Sequence, residues 1–430
     1  MARDYLVARK VSMSNIAQTE VLVTGAGPVG MLAALLLKQD GINAQIIDQE
    51  CRTAGHSYSC ALHPRSLEVL HQAGLAHEAI KLGQRVATVG FYEGSKRQAE
   101  VRLSELPGEF PFALVLDQSA LENLLERKLQ QAGVNIHWLH RLAGLEMTEK
   151  GSVATIEKLG TTGKGYSVPD FETVVVKSLP ARAQFIIGAD GSNSLLRRRL
   201  GIRFARAGAP QHFAVYEIEA GGLCGHEARV VLDDNTASVL WPLSDTRCRW
   251  SFQVNPAKVG GDFPQKDRDR LQMVESPGEQ DNLHQLRRFL NDRAPWFQNS
   301  IQEVVWSADV QFEPRLARQF GRDFCWLAGD AAHQTGPVGM QSMNIGFREA
   351  ADLARVLTQI LRKSGSTDLL KGYDHAHRGE WQRLLEFKAG TPATDSAAEW
   401  VRQRAARIVG SIPASGSDLT CLLKQLGINF

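Results

Sequence analysis

Three short runs in this chain combine glycines, a carboxylate and a following helical pattern. The first is Gly25-Ala26-Gly27-Pro28-Val29-Gly30, spaced G-x-G-x-x-G. The β-branched run Val21–Val23 precedes it, and an apolar helical pattern from Met31 to Leu37 follows. A second strand-like run, Ala44–Ile47, ends on Asp48. Each part has a job in holding a dinucleotide. Gly25 permits a tight turn, Gly27 lets the backbone approach a pyrophosphate, and Gly30 lets helix and strand pack closely. The helix N-terminus turns unsatisfied N–H groups toward phosphate charge, and Asp48 can accept from a ribose hydroxyl. The glycine spacing alone is a weak signal; strand, helix, second strand and acid together make it specific.

The second run is Gly188-Ala189-Asp190-Gly191-Ser192-Asn193-Ser194-Leu195-Leu196-Arg197, a D-G-x-x-S-x-x-R pattern. The third is Gly329-Asp330-Ala331-Ala332-His333, continuing through Pro337, Gly339, Met340, Gln341 and Ser342 to Asn344. In both, an acid at a strand end is followed by small residues and a helix, so backbone can meet a ligand closely. Asp330 can accept from a polyol hydroxyl. Gly336–Gly339 lead into a helix starting near Gln341, whose positive end can stabilise a developing negative charge.

The elements that must position these residues read as follows. Strand patterns run over Phe185–Ile187 and Phe324–Leu327, each opening onto its acid. Helices are expected from Pro64, with Gly74 as the stop, over Ser119–Gln131, and over Asn344–Leu361. Val86–Tyr92, Ala99–Leu103, Phe213–Ile218, Ala228–Leu232, Ser238–Pro242 and Arg249–Val254 alternate like strands of a separate, mostly antiparallel sheet. Gly151–Leu179 reads as hairpins around a turn at 160–165, Asn255–Asn282 as a surface stretch, Leu283–Leu290 as a helix, and Val310–Phe312 as a short strand. Leu369–Phe430 reads as mostly helical. His137 and His140 lie on an extended stretch that points them to different faces, so zinc is not expected there; no metal site is expected anywhere.

The fold class expected is α/β. A Rossmann-like dinucleotide-binding domain, discontinuous in sequence (19–85, 114–200, 319–390), carries an inserted, mostly antiparallel sheet domain (86–113, 201–318) and a helical C-terminal segment (391–430). Hydrophobic residues make up 43% of the chain and charged residues 22%, with a net charge of +2, which gives no case for nucleic acid as partner. Lys38 and Asp40 break the longest N-terminal apolar run, so no span of a bilayer is expected. The first residues read as a leader without a secretory core, with Met13 as an alternative start. None of the six cysteines forms a C-x-x-C pair, which fits a reducing, cytoplasmic compartment.

The three motifs, in this order, resemble those of the class A flavoprotein monooxygenases with the para-hydroxybenzoate hydroxylase fold. D-G-x-x-S-x-x-R and G-D-A-A-H carry most of that likeness, with weaker echoes in Leu62-His63-Pro64-Arg65, Gln118 and Trp241-Pro242-Leu243. The resemblance implies non-covalent FAD and transient NAD(P)H, with oxygen inserted into an aromatic or conjugated small molecule by way of a flavin C4a-hydroperoxide. It implies that Gly25, Gly27, Pro28, Val29, Gly30, Asp48, Gln118, Asp190, Arg197, Gly329, Asp330, Pro337, Gly339, Met340, Gln341, Ser342 and Asn344 serve the cofactor. Pro337 is expected beside the flavin ring, with substrate between it and a sheet face carrying Trp241 and Phe252. The plain alternatives are an Asp190–Arg197 surface ion pair capping a helix, a core role for His333, and core roles for Trp241, Trp250 and Phe252. Two departures stand out. Met340 and Ser342 replace the family's glycines and are expected to crowd the flavin edge, and Tyr58, with Cys60 nearby, stands where an arginine is usual.

Overall fold

A computed structural model of the chain describes residues 18–53, 61–164, 170–221, 225–233, 235–255, 274–275, 279–386, 393 and 397–430. Tyr58, Cys60, Met13 and most of the 255–282 stretch lie outside the described residues.

The opening strand is Gln18–Thr24, and helix α1 follows at Pro28–Gln39. Pro28 sits in the first turn of α1, where its missing N–H costs nothing. The chain returns through strand Ala44–Ile47, parallel to the first with Val21 opposite Ala44. On its other side the first strand pairs in parallel with Asp170–Gly188, Val21 opposite Phe185, and that strand pairs in parallel with Cys325–Leu327. Ile136–His137 closes the opposite end of the parallel set. The three acid-bearing loops therefore leave neighbouring strands at the same sheet end, which is where open α/β sheets bind ligands. The strand segments at the centre of the sheet are apolar (Val21, Leu22, Val23, Ile186 and Ile187 are fully buried), as expected where both sheet faces are covered.

Helices α2 (Pro64–Gln72) and α3 (Ala76–Leu82) follow the second strand, with Gly74 at φ 73° turning the chain between them. A three-stranded sheet of Ala61–Leu62, Gln84–Val86 and Ala113–Val115 braces them. Helix α4 (Gln118–Gln131) buries Leu121, Leu124, Leu125 and Leu129. His140–Thr148, Gly151–Lys164 and Asp170–Gly188 then form antiparallel hairpins, but the turn expected at 160–165 is displaced, because Gly160–Lys164 continue the strand and pair with Asp170–Val174. His137 and His140 do not point apart as expected: Leu139 at φ 57° turns the chain, and the two rings meet edge to face at 5.8 Å.

After α5 (Leu195–Arg199) the chain enters the second large sheet, in which the earlier strands Thr88–Glu93 and Lys96–Arg102 join Gln211–Gly221, Glu227–Leu232, Ala237–Pro242, Arg247–Val254, Val274–Glu275 and Ser300–Phe312. All its pairings are antiparallel except Glu227–Leu232 with Thr88–Glu93. Ser300–Phe312 is far longer than the short strand expected. Its first half is mostly exposed, so the apolar alternation that marks a strand reaches only its end. Helix α6 (Glu279–Arg293) covers the outer face of this sheet, packing Leu286, Phe289 and Leu290 against Trp250 and Phe252.

Helix α7 (Gln341–Lys363) is the longest helix described and lies against α1. It buries Ile345, Phe347, Leu353 and Leu357, each worth roughly 1.5–3 kcal/mol over an exposed position. Helices α8 (Leu369–Glu386), α9 (Glu399–Val409) and α10 (Gly416–Lys424) complete the chain. Among the described residues, no helix is long and apolar enough to cross a membrane.

Candidate active site

The Gly25–Gly30 turn is tight on one side and open on the other. Gly25 has φ 99°, a conformation that favours glycine, and a Cβ there would run into the Ala189 carbonyl. A Cβ on Gly30 would run into the Gly25 carbonyl, so Gly30 is required by helix–strand packing. Gly27 is different: nothing among the described residues lies within 4 Å of where its Cβ would stand. Open space beside a helix N-terminus is a cradle for a phosphate. Asp48 holds this turn, its Oδ2 accepting from Ala26 N–H at 2.6 Å and its Oδ1 from Glu50 N–H at 2.8 Å.

The Asp190 loop packs against that turn. Asp190 Oδ2 accepts from the backbone N–H of Leu195 (2.7 Å) and Leu196 (3.2 Å), capping α5, while its Oδ1 is buried with no hydrogen-bond partner among the described residues. Burial raises the carboxyl above its ordinary range, opposed by Ser194 and by those N–H donors. Arg197 makes no surface ion pair. It is buried, donates to the Ala331 carbonyl at 2.8 Å and to the Ser192 carbonyl at 2.6 Å, and lies over the Phe204 ring at 3.9 Å. It stitches the second motif to the third.

In the third motif Gly329 has φ 63° and packs on Val29 of the first turn. Asp330 is partly exposed, and burial raises its pKa, with Glu349 adding and His333 opposing. A carboxylate crowded in this way and a bare Asp190 oxygen are both groups that cofactor hydroxyls would satisfy. The residues therefore fit a dinucleotide. His333 has a partner that the sequence did not disclose. Its Nε2 lies 2.8 Å from Glu349 Oε2, which also accepts from Gly329 N–H at 2.8 Å. Glu349 Oε1 accepts from Trp381 Nε1, whose ring stacks on His333 at 4.0 Å. Burial opposes ionisation of Glu349, but His333 outweighs it, with help from His377 and Gly329, and holds the carboxyl below its ordinary range. Glu349 thus fixes the loop that carries Asp330.

The turn entering α7 is held mostly from inside the protein. Met340 sits at φ 51°, ψ 36°, the left-handed region, at a cost of order 1 kcal/mol for a residue with a Cβ. Its side chain is buried in the main core. Ser342 Oγ accepts from Thr335 N–H at 3.0 Å. These two side chains therefore do not crowd an open edge as expected; core packing takes one and a local hydrogen bond the other. Gln341 donates to the Ile412 carbonyl at 2.8 Å, and a Cβ on Gly339 would strike the Gly410 carbonyl, so both positions dock the C-terminal segment. Asn344 is fully buried among backbone partners. Gln118 starts α4 and donates to Glu122 at 2.6 Å.

The strip Gly336–Val338 faces the second sheet: a Cβ on Gly336 would stand 3.5 Å from the Phe213 ring, and Val338 packs on Phe213, Val215, Ala308 and Val310. Pro337 is buried. Ser238 lies opposite Phe252 and Trp241 opposite Arg249, so Trp241 and Phe252 point to opposite faces. Phe252 lies on the outer face, stacked at 5.0 Å on both Trp250 and Phe289, which corrects its expected place beside substrate. Trp241 is fully buried in the main core. The inner face instead carries an ion pair that patterning missed. Arg249 and Glu217, 3% and 5% exposed, meet at 2.7 Å, with Asp117 at 3.6 Å and Trp306 beside the guanidinium. Period-2 reading of that strand finds the apolar residues; a charged residue between them reads as a solvent position.

Among the described residues, His71, His77 and Glu109 bring possible metal-ligand atoms within 4.8 Å of one another, all exposed at the α2–α3 corner.

A model of the family described as FAD binding domain matches residues 18–388. A 6-methylpretetramide 4-monooxygenase from Streptomyces rimosus is 28% identical over 82% of this chain and 58% of its own length. A pentachlorophenol 4-monooxygenase from Sphingobium chlorophenolicum is 25% identical over 86% of this chain and 64% of its own length. The chain thus spans about three fifths of the length of these curated relatives. A crystal structure of a p-nitrophenol 4-monooxygenase from Pseudomonas putida superposes with a TM-score of 0.71 at 19% identity, covering 96% of this chain and all of that one. A complex of aklavinone-11 hydroxylase with FAD and aklavinone superposes with a TM-score of 0.65 at 21% identity, covering 86% of this chain and 66% of that one. The match over residues 18–388 and the shared architecture place the chain: it belongs to the FAD binding domain family, with the fold of the class A aromatic hydroxylases.

Proposed function

We propose that the protein is an FAD-dependent monooxygenase that uses NAD(P)H and O₂ to hydroxylate, or epoxidise, an aromatic or conjugated small molecule. The observation that carries this reading is the close approach of the Gly336–Val338 strip to the inner face of the second sheet. A redox centre on that strip would look at a face where Phe213 and Val215 stand beside Gln211 and the Arg249–Glu217 pair. The relatives' names support an aromatic substrate: pentachlorophenol and p-nitrophenol are phenols.

Bound FAD supplies hydride acceptance and oxygen activation; the chain supplies binding, orientation and a dry pocket. In this reading Gly27 and the α1 N-terminus, with Pro28 and Val29, take the pyrophosphate. Asp330 accepts from the ribityl chain, and Asp190 and Gln118 reach the remaining polar groups. Arg197, Glu349 and Asn344 hold those loops in place. The N-terminus of α7, beside Pro337, offers N–H groups and dipole to negative charge on the ring. Phe213 and Val215 exclude water, and Arg249, held by Glu217, orients an oxygen of the substrate. Residues 19–85, 114–200 and 319–390 are assigned to the cofactor and 86–113 and 201–318 to the substrate, in a cytoplasmic protein.

The test is stoichiometry. Purified protein with FAD, NADH or NADPH, and a panel of phenols and fused-ring aromatics should form one oxygenated product per nicotinamide oxidised. Nicotinamide oxidation that yields hydrogen peroxide alone across the panel would instead identify an oxidase on the same fold.

A further inference from the structure

Behind the turn that enters α7 lies a histidine that the functional reading leaves unused. His63 directly precedes Pro64 at the start of α2 and is fully buried. Its ring Nε2 lies 2.9 Å from the Gly339 carbonyl oxygen. A carbonyl can only accept, so Nε2 carries the hydrogen and Nδ1 is the bare nitrogen. That nitrogen is buried and bonded to no described group. Burial pushes the ring's pKa down to about 3, with Arg348 adding to the effect and the Gly339 carbonyl opposing it. Near neutral pH the ring is therefore an uncharged donor in one fixed tautomer.

The same residue reaches the turn a second way. Its backbone N–H donates to Asn344 Oδ1 at 2.7 Å, and Ser66 Oγ donates to that same oxygen at 2.7 Å. Asn344 Nδ2 in turn donates to the Met340 carbonyl at 2.7 Å and the Ala61 carbonyl at 2.8 Å. All four hydrogen-bonding positions of the Asn344 amide are thus filled. Two consecutive carbonyls, Gly339 and Met340, are held by groups tied to the start of α2. In a planar trans peptide the N–H points opposite to the carbonyl. Pinning those two oxygens therefore turns the N–H groups of Met340 and Gln341 away from His63 and Asn344. It also secures the left-handed backbone at Met340.

We propose that His63 is a positioning residue of the flavin-facing turn: as a neutral donor to Gly339 it sets the peptide orientation with which the α7 N-terminus meets the cofactor. This rests on the reading above that the turn faces the flavin.

The experiment uses the full chain. His63→Phe keeps a ring of similar volume and removes the donor, while His63→Gln keeps an amide that can reach the same carbonyl. Each protein is stripped of FAD and titrated back by flavin fluorescence, with the absorption spectrum of the bound flavin and the unfolding temperature of the apo form recorded alongside. Leaving the Gly339 carbonyl without its donor should weaken FAD binding roughly ten- to a hundredfold and shift the flavin spectrum. His63→Gln should recover most of the affinity. A His63→Phe protein with a lowered unfolding temperature but wild-type FAD affinity and spectrum would make His63 a fold residue only and overturn the proposal. Should His63→Phe fail to fold, His63→Gln decides: affinity and spectrum near wild type support the donor role, and a loss as large as that expected for Phe overturns it. Gly27→Val separates the two readings. If that variant retains bound flavin, the placement of the cofactor is wrong, whatever His63 does.

Discussion

At the nucleotide end of the site, strand, glycine turn, helix, second strand and acid come from one continuous stretch, Gln18 to Asp48. At the ring end, the turn 336–342 is held by partners far away in the chain. His63 and Asn344 are 281 residues apart, and Gln341 and Ile412 are 71 apart. The first end is a local solution to binding a phosphate, so it can be read from spacing. The second is assembled by tertiary packing, and its specificity lies in which distant backbone groups are pinned. The nucleotide end should therefore fail position by position, and the ring end should fail as a network.

The largest effect separates two glycines three residues apart. Gly30→Val places a side chain into the Gly25 carbonyl, and backbone must move. It should destabilise the fold by about 3 kcal/mol or more, since overpacking against rigid backbone lies at the upper end of its usual cost. Gly27→Val meets nothing within 4 Å among the described residues. Its denaturation midpoint should stay near wild type while the purified protein loses its yellow flavin. Equal destabilisation by both would mean that the open space at Gly27 is not where the cofactor goes.

The next contrast lies between the two faces of the second sheet. Phe252, fully buried between Trp250 and Phe289, should cost about 3–5 kcal/mol as Phe252→Ala and leave the KM of the folded fraction unchanged. Arg249→Leu on the inner face should instead raise KM for a phenolic substrate with FAD content retained, because Glu217 keeps Arg247 as a partner. If Phe252→Ala alters KM and Arg249→Leu does not, the assignment of faces is inverted.

These cases show where reading stops. The alternation of Ala237–Pro242 and Arg247–Val254 disclosed two strands and their apolar sides. It could not disclose that Trp241 and Phe252 face opposite ways, because parity on two strands is related only through register, and Trp241 pairs with Arg249. The likeness of Gly329–His333 to a known motif marked the loop, but the partner of His333, Glu349, lies across a fold-back into α7 and looks in sequence like any helical acid. Analogy with glycines makes Met340 and Ser342 look like obstructions. Nothing local says that one side chain enters the core and the other bonds Thr335.

Asp330→Ala should weaken FAD binding by about 1–3 kcal/mol, roughly five- to more than a hundredfold, as polyol hydroxyls lose their acceptor. The apo form should respond with the opposite sign. An acid whose pKa is raised by folding binds more protons folded than unfolded, so its contribution to stability falls as pH rises through the window above 3.8. At neutral pH the wild-type apo protein bears that cost and Asp330→Ala does not. The variant should be as stable or more so at pH 7, with its advantage shrinking on acidification. Lower stability of the variant at pH 7 would show that Asp330 supports the fold instead.

The smallest effect bears most directly on the ring end. Ser342→Gly removes the hydroxyl that accepts from Thr335 N–H and restores the residue usual in the family. Losing that bond in a partly exposed setting should cost about 1 kcal/mol or less. If the hydroxyl is turned inward in solution, as the geometry has it, anaerobic stopped-flow reduction of the bound flavin by NAD(P)H should proceed at the wild-type rate, with and without substrate. A faster reduction in Ser342→Gly would mean that the side chain does stand in the flavin's path. The turn would then have to rearrange when the cofactor binds, and the pinning of Gly339 and Met340 from the α2 side would be too weak to set its shape.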